Sequence, residues 1–149
     1  MNTSAFSALT RINGFKILKQ LFPQDIIVPR GVLEEYDRKF VTLPSFIKVR
    51  DLTPNQMSRA NNLDLGQGEK EAIILAHDLG ALLLIEDKKG RKICQDMNVE
   101  KTGTYGIIRV AFEECIITRK QMVEMIEKLK NDLYYGQQLI EWILKARKR

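Results

Sequence analysis

Four acidic residues stand where a chain could use them for chemistry. Glu35 closes Val32-Leu33-Glu34-Glu35 and Asp87 closes Leu82-Leu83-Leu84-Ile85-Glu86-Asp87. Glu69 and Glu71 fall in Leu65-Gly66-Gln67-Gly68-Glu69-Lys70-Glu71-Ala72-Ile73, at the start of a helical pattern. Carboxylates held at the ends of a parallel sheet bind Mg²⁺ or Mn²⁺, and such an ion can drive cleavage of a phosphodiester. Asn2-Thr3-Ser4 adds a further position, with an amide where a carboxylate would be expected.

The elements that must position these groups alternate between short apolar runs and helical periods. Ala5 to Phe22 reads as a helix broken near Asn13-Gly14, with Leu9, Ile12, Phe15, Leu18 and Phe22 on one side. Asp25 to Pro29 reads as a strand, and Pro29 suits the start of a helix from Gly31 to Lys39. Phe46 to Val49 alternates as an edge strand, and Pro54 to Ala60 is a short helix. Glu69 to Leu79 is the strongest helix and Gly80 stops it. Ala81 to Ile85 is a continuous apolar run, hence a buried parallel strand. Lys88 to Met97 is helical, Val99 marks a short strand, and Gly103 to Cys115 is helical again. Thr118 is an N-cap for Arg119 to Lys130, and Gln137 to Arg147 is amphipathic. Strands alternating with helices predict an α/β sheet covered on both faces, in one domain over residues 1–149 with C-terminal helices over 119–149. In such a sheet a ligand binds beyond the carboxyl ends of the strands, which is where Asp87 falls.

Composition narrows the partner. The 149 residues are 44% hydrophobic, enough for a real core, and no apolar run approaches the roughly 20 residues needed to span a bilayer. No signal segment is recognised, so a cytoplasmic protein without a membrane role is expected. Cys94 and Cys115 lack metal-ligand spacing and read as reduced, partly buried thiols. A net charge of +5 and a pI near 9.2 suit an anionic partner. The basic run Lys88-Lys89-Gly90-Arg91-Lys92 follows Asp87 directly, and Lys145 to Arg149 is a basic tail. Cations beside a carboxylate cluster suit a polyanion approaching a metal, since the cations hold phosphates while the acids hold the ion. The alternative is a solvated helix face.

Five segments, taken in order, carry a family resemblance: Asn2-Thr3-Ser4-Ala5-Phe6, Ile27-Val28-Pro29 through Glu35, Leu65 through Ile73, Leu84-Ile85-Glu86-Asp87-Lys88-Lys89-Gly90-Arg91, and Gly103-Thr104-Tyr105-Gly106. This ordered set resembles PIN-domain proteins, in particular a prokaryotic PIN-like branch related to the toxins of Vap-type toxin–antitoxin pairs. It extends from residue 2 to about residue 144.

The resemblance implies a three-layer αβα fold with a parallel central sheet and a metal-dependent, single-strand ribonuclease site. Glu35, Glu71 and Asp87 match the family's second, third and fourth acids, and Asn2 falls where the first aspartate usually stands. Asp87, Glu71, Glu35 and Asn2 would then surround Mg²⁺ or Mn²⁺. Lys88, Lys89 and Arg91 would hold RNA phosphates, and Ser4 would support the site. A homodimer and an antitoxin partner that lays a segment across the acidic groove are implied as well. Two departures stand against this. Asn2 brings no charge, so a hard cation would bind more weakly. The family's first strand precedes the Asn2 position, yet only Met1 stands before it here. The strand is then truncated by a late start, absent from the sheet, or supplied by another chain.

Other conspicuous residues read as structural. His77 lies on the polar side of its helix, Met122 and Met125 fill the core, and Tyr134-Tyr135 packs the last helix. Trp142, with Leu139, Ile140, Ile143 and Leu144, reads as a core or dimer-facing stripe. Three functions therefore compete: an active nuclease, an impaired PIN-like fold that binds RNA or protein, and an unrelated α/β binding domain.

Overall fold

A computed structural model describes residues 1–36, 42–131, 133 and 136–149. Helix α1 (Thr3–Arg11) begins at Asn2, whose Oδ1 accepts the Ala5 N–H at 3.1 Å as an N-cap. The predicted break follows, with Asn13 in the left-handed region at φ 54°, before α2 (Phe15–Leu21). Strand β1 (Ile26–Pro29) leads into α3 (Arg30–Glu35), with Pro29 at the N-cap. The expected continuation of α3 to Lys39 lies outside the described residues, as does Tyr134-Tyr135.

Strand β2 (Ile47–Arg50) is followed by α4 (Pro54–Asn61), which a Thr53/Gln56 capping box starts. Helix α5 (Gln67–Leu79) stops at Gly80, a left-handed residue with φ 59°. The apolar run after it yields a short β3 (Leu83–Leu84), followed by α6 (Lys88–Asp96). Strand β4 is Lys101–Thr102, so it lies just beyond Val99, which is buried. Helices α7 (Thr104–Glu113), α8 (Arg119–Leu129) and α9 (Gln137–Leu144) complete the chain, and Thr118 caps α8 through a second capping box with Gln121.

The layers follow from strand alternation. Leu84 and Val28 join a core with Phe6, Leu9, Ile108, Phe112, Met122 and Ile143, contributed by α1, α7, α8 and α9. Leu83 and Ile85 point the other way, into a second core with Ala72, Ile73, Ala76 and Cys94 of α5 and α6. Helices thus cover both faces of the strands, in the three-layer order expected. Both strand pairs are parallel, with Ile26 beside Ile47 in one and Leu83 beside Lys101 in the other. Among the described residues the sheet is not continuous, however. It consists of two two-stranded pieces, β1-β2 and β3-β4.

Between the pieces lies a cavity of about 540 Å³. Ile26, Ile27 and Pro29 of β1 and Leu82 to Leu84 line it, together with Leu18 and Phe22 of α2, Leu75 and Leu79 of α5, and Met1. The Asn2 N–H donates to the Leu84 carbonyl at 3.0 Å, so the residue leading α1 pairs with β3 on this side.

Helix α9 buries Ile143 but leaves Trp142 and Leu144 exposed, so the stripe is split between core and surface. The Arg109 guanidinium stacks 3.9 Å from the Trp142 ring. Met122 is fully buried, as expected of core filling. Cys94 is buried and Cys115 is exposed on a left-handed turn; both are free thiols. No helix among the described residues is long and apolar enough to cross a membrane.

Candidate acidic site

Glu35, at the end of α3, reaches across to the start of α5. Its Oε1 accepts the Gly68 N–H at 2.5 Å and its Oε2 accepts the Thr3 hydroxyl at 2.6 Å. A carboxylate at a helix N-terminus meets unpaired N–H groups and the positive end of the macrodipole, so this placement favours the charge. Gly68 is needed there, because a Cβ on it would sit 2.9 Å from Glu35 Oε2 and would run into the Thr3 hydroxyl.

Asp87 is the N-cap of α6, and its Oδ2 accepts the Gly90 N–H at 2.5 Å. Between Asp87 and Glu35 stands Glu69, in the first turn of α5. Partial burial raises the Glu69 carboxyl above the usual range, and the charges of Glu35 and then Asp87 raise it further. Three carboxylates therefore share one field, contributed by α3, α5 and the end of β3.

Glu71 is placed differently from what the family pattern implied. It is buried, and its Oε2 accepts the Gly31 N–H at 2.6 Å while its Oε1 accepts from Gln67 Nε2 at 3.1 Å. Its carboxylate therefore caps the first turn of α3, with one oxygen on a backbone N–H and the other on a side-chain amide. Among the described residues no three acidic, histidine or cysteine side chains stand close enough to hold one metal ion.

Asn2 is fully buried, with its carbonyl oxygen on the helix cap and its Nδ2 without a hydrogen-bond partner. Ser4 is exposed one residue past the hydroxyl that does contact Glu35, that of Thr3. Of the basic residues, Lys88 is exposed, Lys89 pairs with Asp64, and Arg91 lies 3.5 Å from the Ile85 carbonyl. His77 is exposed in a network with Asp78 and Arg59, away from the acids.

Two members of the neighbourhood escaped the family alignment. Glu69 was visible as a first-turn acid but not as a partner of Glu35 and Asp87. Glu86 was passed over beside Asp87; its Oε1 accepts the Thr104 N–H at 2.5 Å, and burial pushes its carboxyl upward. Its signal was an acid one residue before an N-cap, facing the Gly103-Thr104 helix start.

Helices on both sides of parallel strands, with carboxylates gathered where β3 ends and α3 and α5 meet, define an α/β protein with an acidic groove. A family model described as PIN domain matches residues 1–149, and the chain belongs to that family. No curated protein and no solved structure matches it. PIN domains are in general nucleases and typically use divalent metals.

The residues fit such a metal in donor chemistry. Mg²⁺ keeps several waters and takes one or two carboxylates, so a full three-acid cage is not required. Oxygen donors of Glu35, Glu69 and Asp87 supply that set, and the mutual repulsion that raises Glu69 is the field a cation relieves.

Proposed function

We propose that this PIN domain is a divalent-metal-dependent endoribonuclease acting on single-stranded RNA. The observation that carries the proposal is the shared field of Glu35, Glu69 and Asp87, which raises the Glu69 carboxyl at the start of α5. Glu69 and Asp87 would hold Mg²⁺ or Mn²⁺, and Glu35 would support the site through its bonds to Gly68 and Thr3. When bound, the ion supplies an activated water and charge neutralisation at the phosphorus. The chain's own part is to orient the substrate. Lys88 is free in the open to hold a phosphate, and Lys89 and Arg91 join it by releasing Asp64 and the Ile85 carbonyl. Ser4 lies exposed beside Thr3, within reach of the same strand of RNA. Glu71 holds α3 against α5 and so fixes Glu35 without touching substrate.

The physiological setting proposed is cytoplasmic. The protein would act as a toxin-like component in a homodimer, restrained by an antitoxin whose segment covers the acidic groove. A second reading has one observation in its favour. Asn2 is buried, uncharged and committed to capping α1, so it adds nothing to cation binding. An impaired fold that binds RNA or protein would look the same at that position.

Cleavage of a fluorescent single-stranded RNA with Mn²⁺ separates the two, using the parent, Asp87→Asn and Asn2→Asp. Cutting by the parent but not by Asp87→Asn supports the nuclease. Cutting only by Asn2→Asp means a scaffold disabled at one position. RNA binding without cutting by any of the three moves the assignment to the binding module.

A further inference from the structure

The cavity between the two half-sheets has the hydrogen-bonding pattern of a strand site. On β3 the Leu83 N–H donates to the Glu100 carbonyl at 2.8 Å and the Ile85 N–H to the Thr102 carbonyl at 3.0 Å. Alternation along a parallel strand then turns the backbone groups of Leu82 and Leu84 to the opposite edge, which is the cavity. One of these groups is already paired, because the Leu84 carbonyl accepts the Asn2 N–H. On β1 the Ile26 N–H donates to Phe46 at 3.1 Å on the β2 side, so Ile27 presents its N–H and carbonyl toward the cavity. Neither β1 nor β3 has a strand on this side among the described residues.

The walls are apolar above and below. Leu18 and Phe22 of α2 and Ile107 of α7 face it from one layer, and Leu75, Ala76 and Leu79 of α5 from the other. Leu79 and Leu82 are each left 44% exposed at its margin. An occupant must therefore be extended, parallel to both edges and apolar on both faces, as centrally buried parallel strands are. About four residues fill it, given a rise of roughly 3.3 Å each along strands of this length.

We propose that this slot seats a further parallel strand, giving the order β2-β1-strand-β3-β4, and that its occupant is an apolar segment continuous with Met1. The register selects that occupant. Since the Asn2 N–H already meets the Leu84 carbonyl, the parallel pattern assigns the Leu84 N–H to the carbonyl of the residue just ahead of Met1. The same strand running in from elsewhere would have to end against the Met1 amine, which is buried at the slot's end. The two unpaired edges define the slot, and they would do so wherever the sequence began. Filling it also bears on the site, since the strand would fix Asn2 and Thr3, and Thr3 holds Glu35.

The test compares the 149-residue chain with the same chain carrying four alternating valines and isoleucines ahead of Met1, and with a control bearing Asp-Pro-Asp-Pro. Amide hydrogen exchange is read at Leu84 and Ile27, alongside Tm. The apolar extension is expected to slow exchange at both amides by 100-fold or more and to raise Tm. The Asp-Pro extension is expected to do neither, and Leu82→Asp in the extended chain is expected to erase the gain. Unchanged exchange at Leu84 and Ile27 in the apolar extension overturns the proposal. So does protection of the 149-residue chain that grows with its own concentration, which would make a second copy the occupant. Equal protection by the free valine–isoleucine peptide would make the occupant a partner's strand, and also overturns it.

Discussion

Glu35 and Glu71 exchange helix caps. Glu35, on α3, accepts the Gly68 N–H at the start of α5, while Glu71, on α5, accepts the Gly31 N–H at the start of α3. Each carboxylate thereby meets the positive end of the other's helix, and the two helices are fastened at both contacts. One of the pair is exposed and the other buried, and that difference separates their roles.

Glu71→Ala is expected to cost stability and spare chemistry. It leaves the buried Gly31 N–H without an acceptor, a loss of roughly 1–3 kcal/mol, which lowers Tm by several degrees in a domain of this size. Glu71→Gln keeps an acceptor oxygen and should recover part of the loss. Thermal melts, with RNA cleavage normalised to folded protein, check this. A loss of specific activity in Glu71→Gln with an unchanged Tm would place Glu71 in the site after all.

Removing the Thr3 hydroxyl tests the outer support of Glu35. Thr3→Val preserves shape and deletes the 2.6 Å hydrogen bond to Glu35 Oε2. Loss of an outer partner of this kind typically lowers metal affinity or activity about 10–100-fold. Ser4→Ala, one residue along, is the comparison, since Ser4 is exposed and makes no contact with the acid. A Thr3→Val protein as active as the parent would remove Glu35 from the working site.

Much of this was legible in the sequence, and the misplacements have physical causes. Helix boundaries came from caps with strong local chemistry, as at Thr53, Gly80 and Thr118, and the two-sided burial of Leu83 to Ile85 came from an unbroken apolar run. Glu69 and Glu71 lie two residues apart in one helical turn, so spacing alone could not say which would face Glu35. Packing of α3 on α5 decided it, by burying Glu71 against Gly31. Likewise Thr3 and Ser4 are adjacent first-turn hydroxyls, and only the crossing of α1 over α3 selects Thr3. The division of the sheet depends on which edges meet, a long-range property with no local signature.

Glu69 gives a pH-dependent signature. Its carboxyl is raised in the folded state, first by burial and then by Glu35 and Asp87. A raised acid adds stability below its unfolded value of 4.5 and loses that contribution as pH climbs through the folded value. At pH 7 the ionised group is therefore a cost. Glu69→Gln should melt higher than the parent at pH 7, with the gap closing toward pH 4. Mn²⁺ should reverse the order at pH 7, because a ligand that binds only the folded parent raises its Tm by mass action. If Mn²⁺ raises both melting temperatures equally, Glu69 is not a ligand.

The buried Met1 amine makes the opposite prediction in the opposite window. Burial lowers it from 8.0 to about 5. A depressed group contributes its full stability above the unfolded value and loses it as pH falls to the folded one, so the domain should weaken between pH 8 and pH 5. Three pH units bound the loss at about 4 kcal/mol for a fully desolvated amine. Acetylating the N-terminus removes the titrating group, and an apolar extension moves the charge out of the slot. Both should flatten the urea-denaturation midpoint across that pH range relative to the free amine. The extended chain should also be the more stable of the two at pH 8, because it adds ladder hydrogen bonds at Leu84 and Ile27 where acetylation adds none. Equal slopes in all three proteins would place the Met1 amine in water, outside the slot.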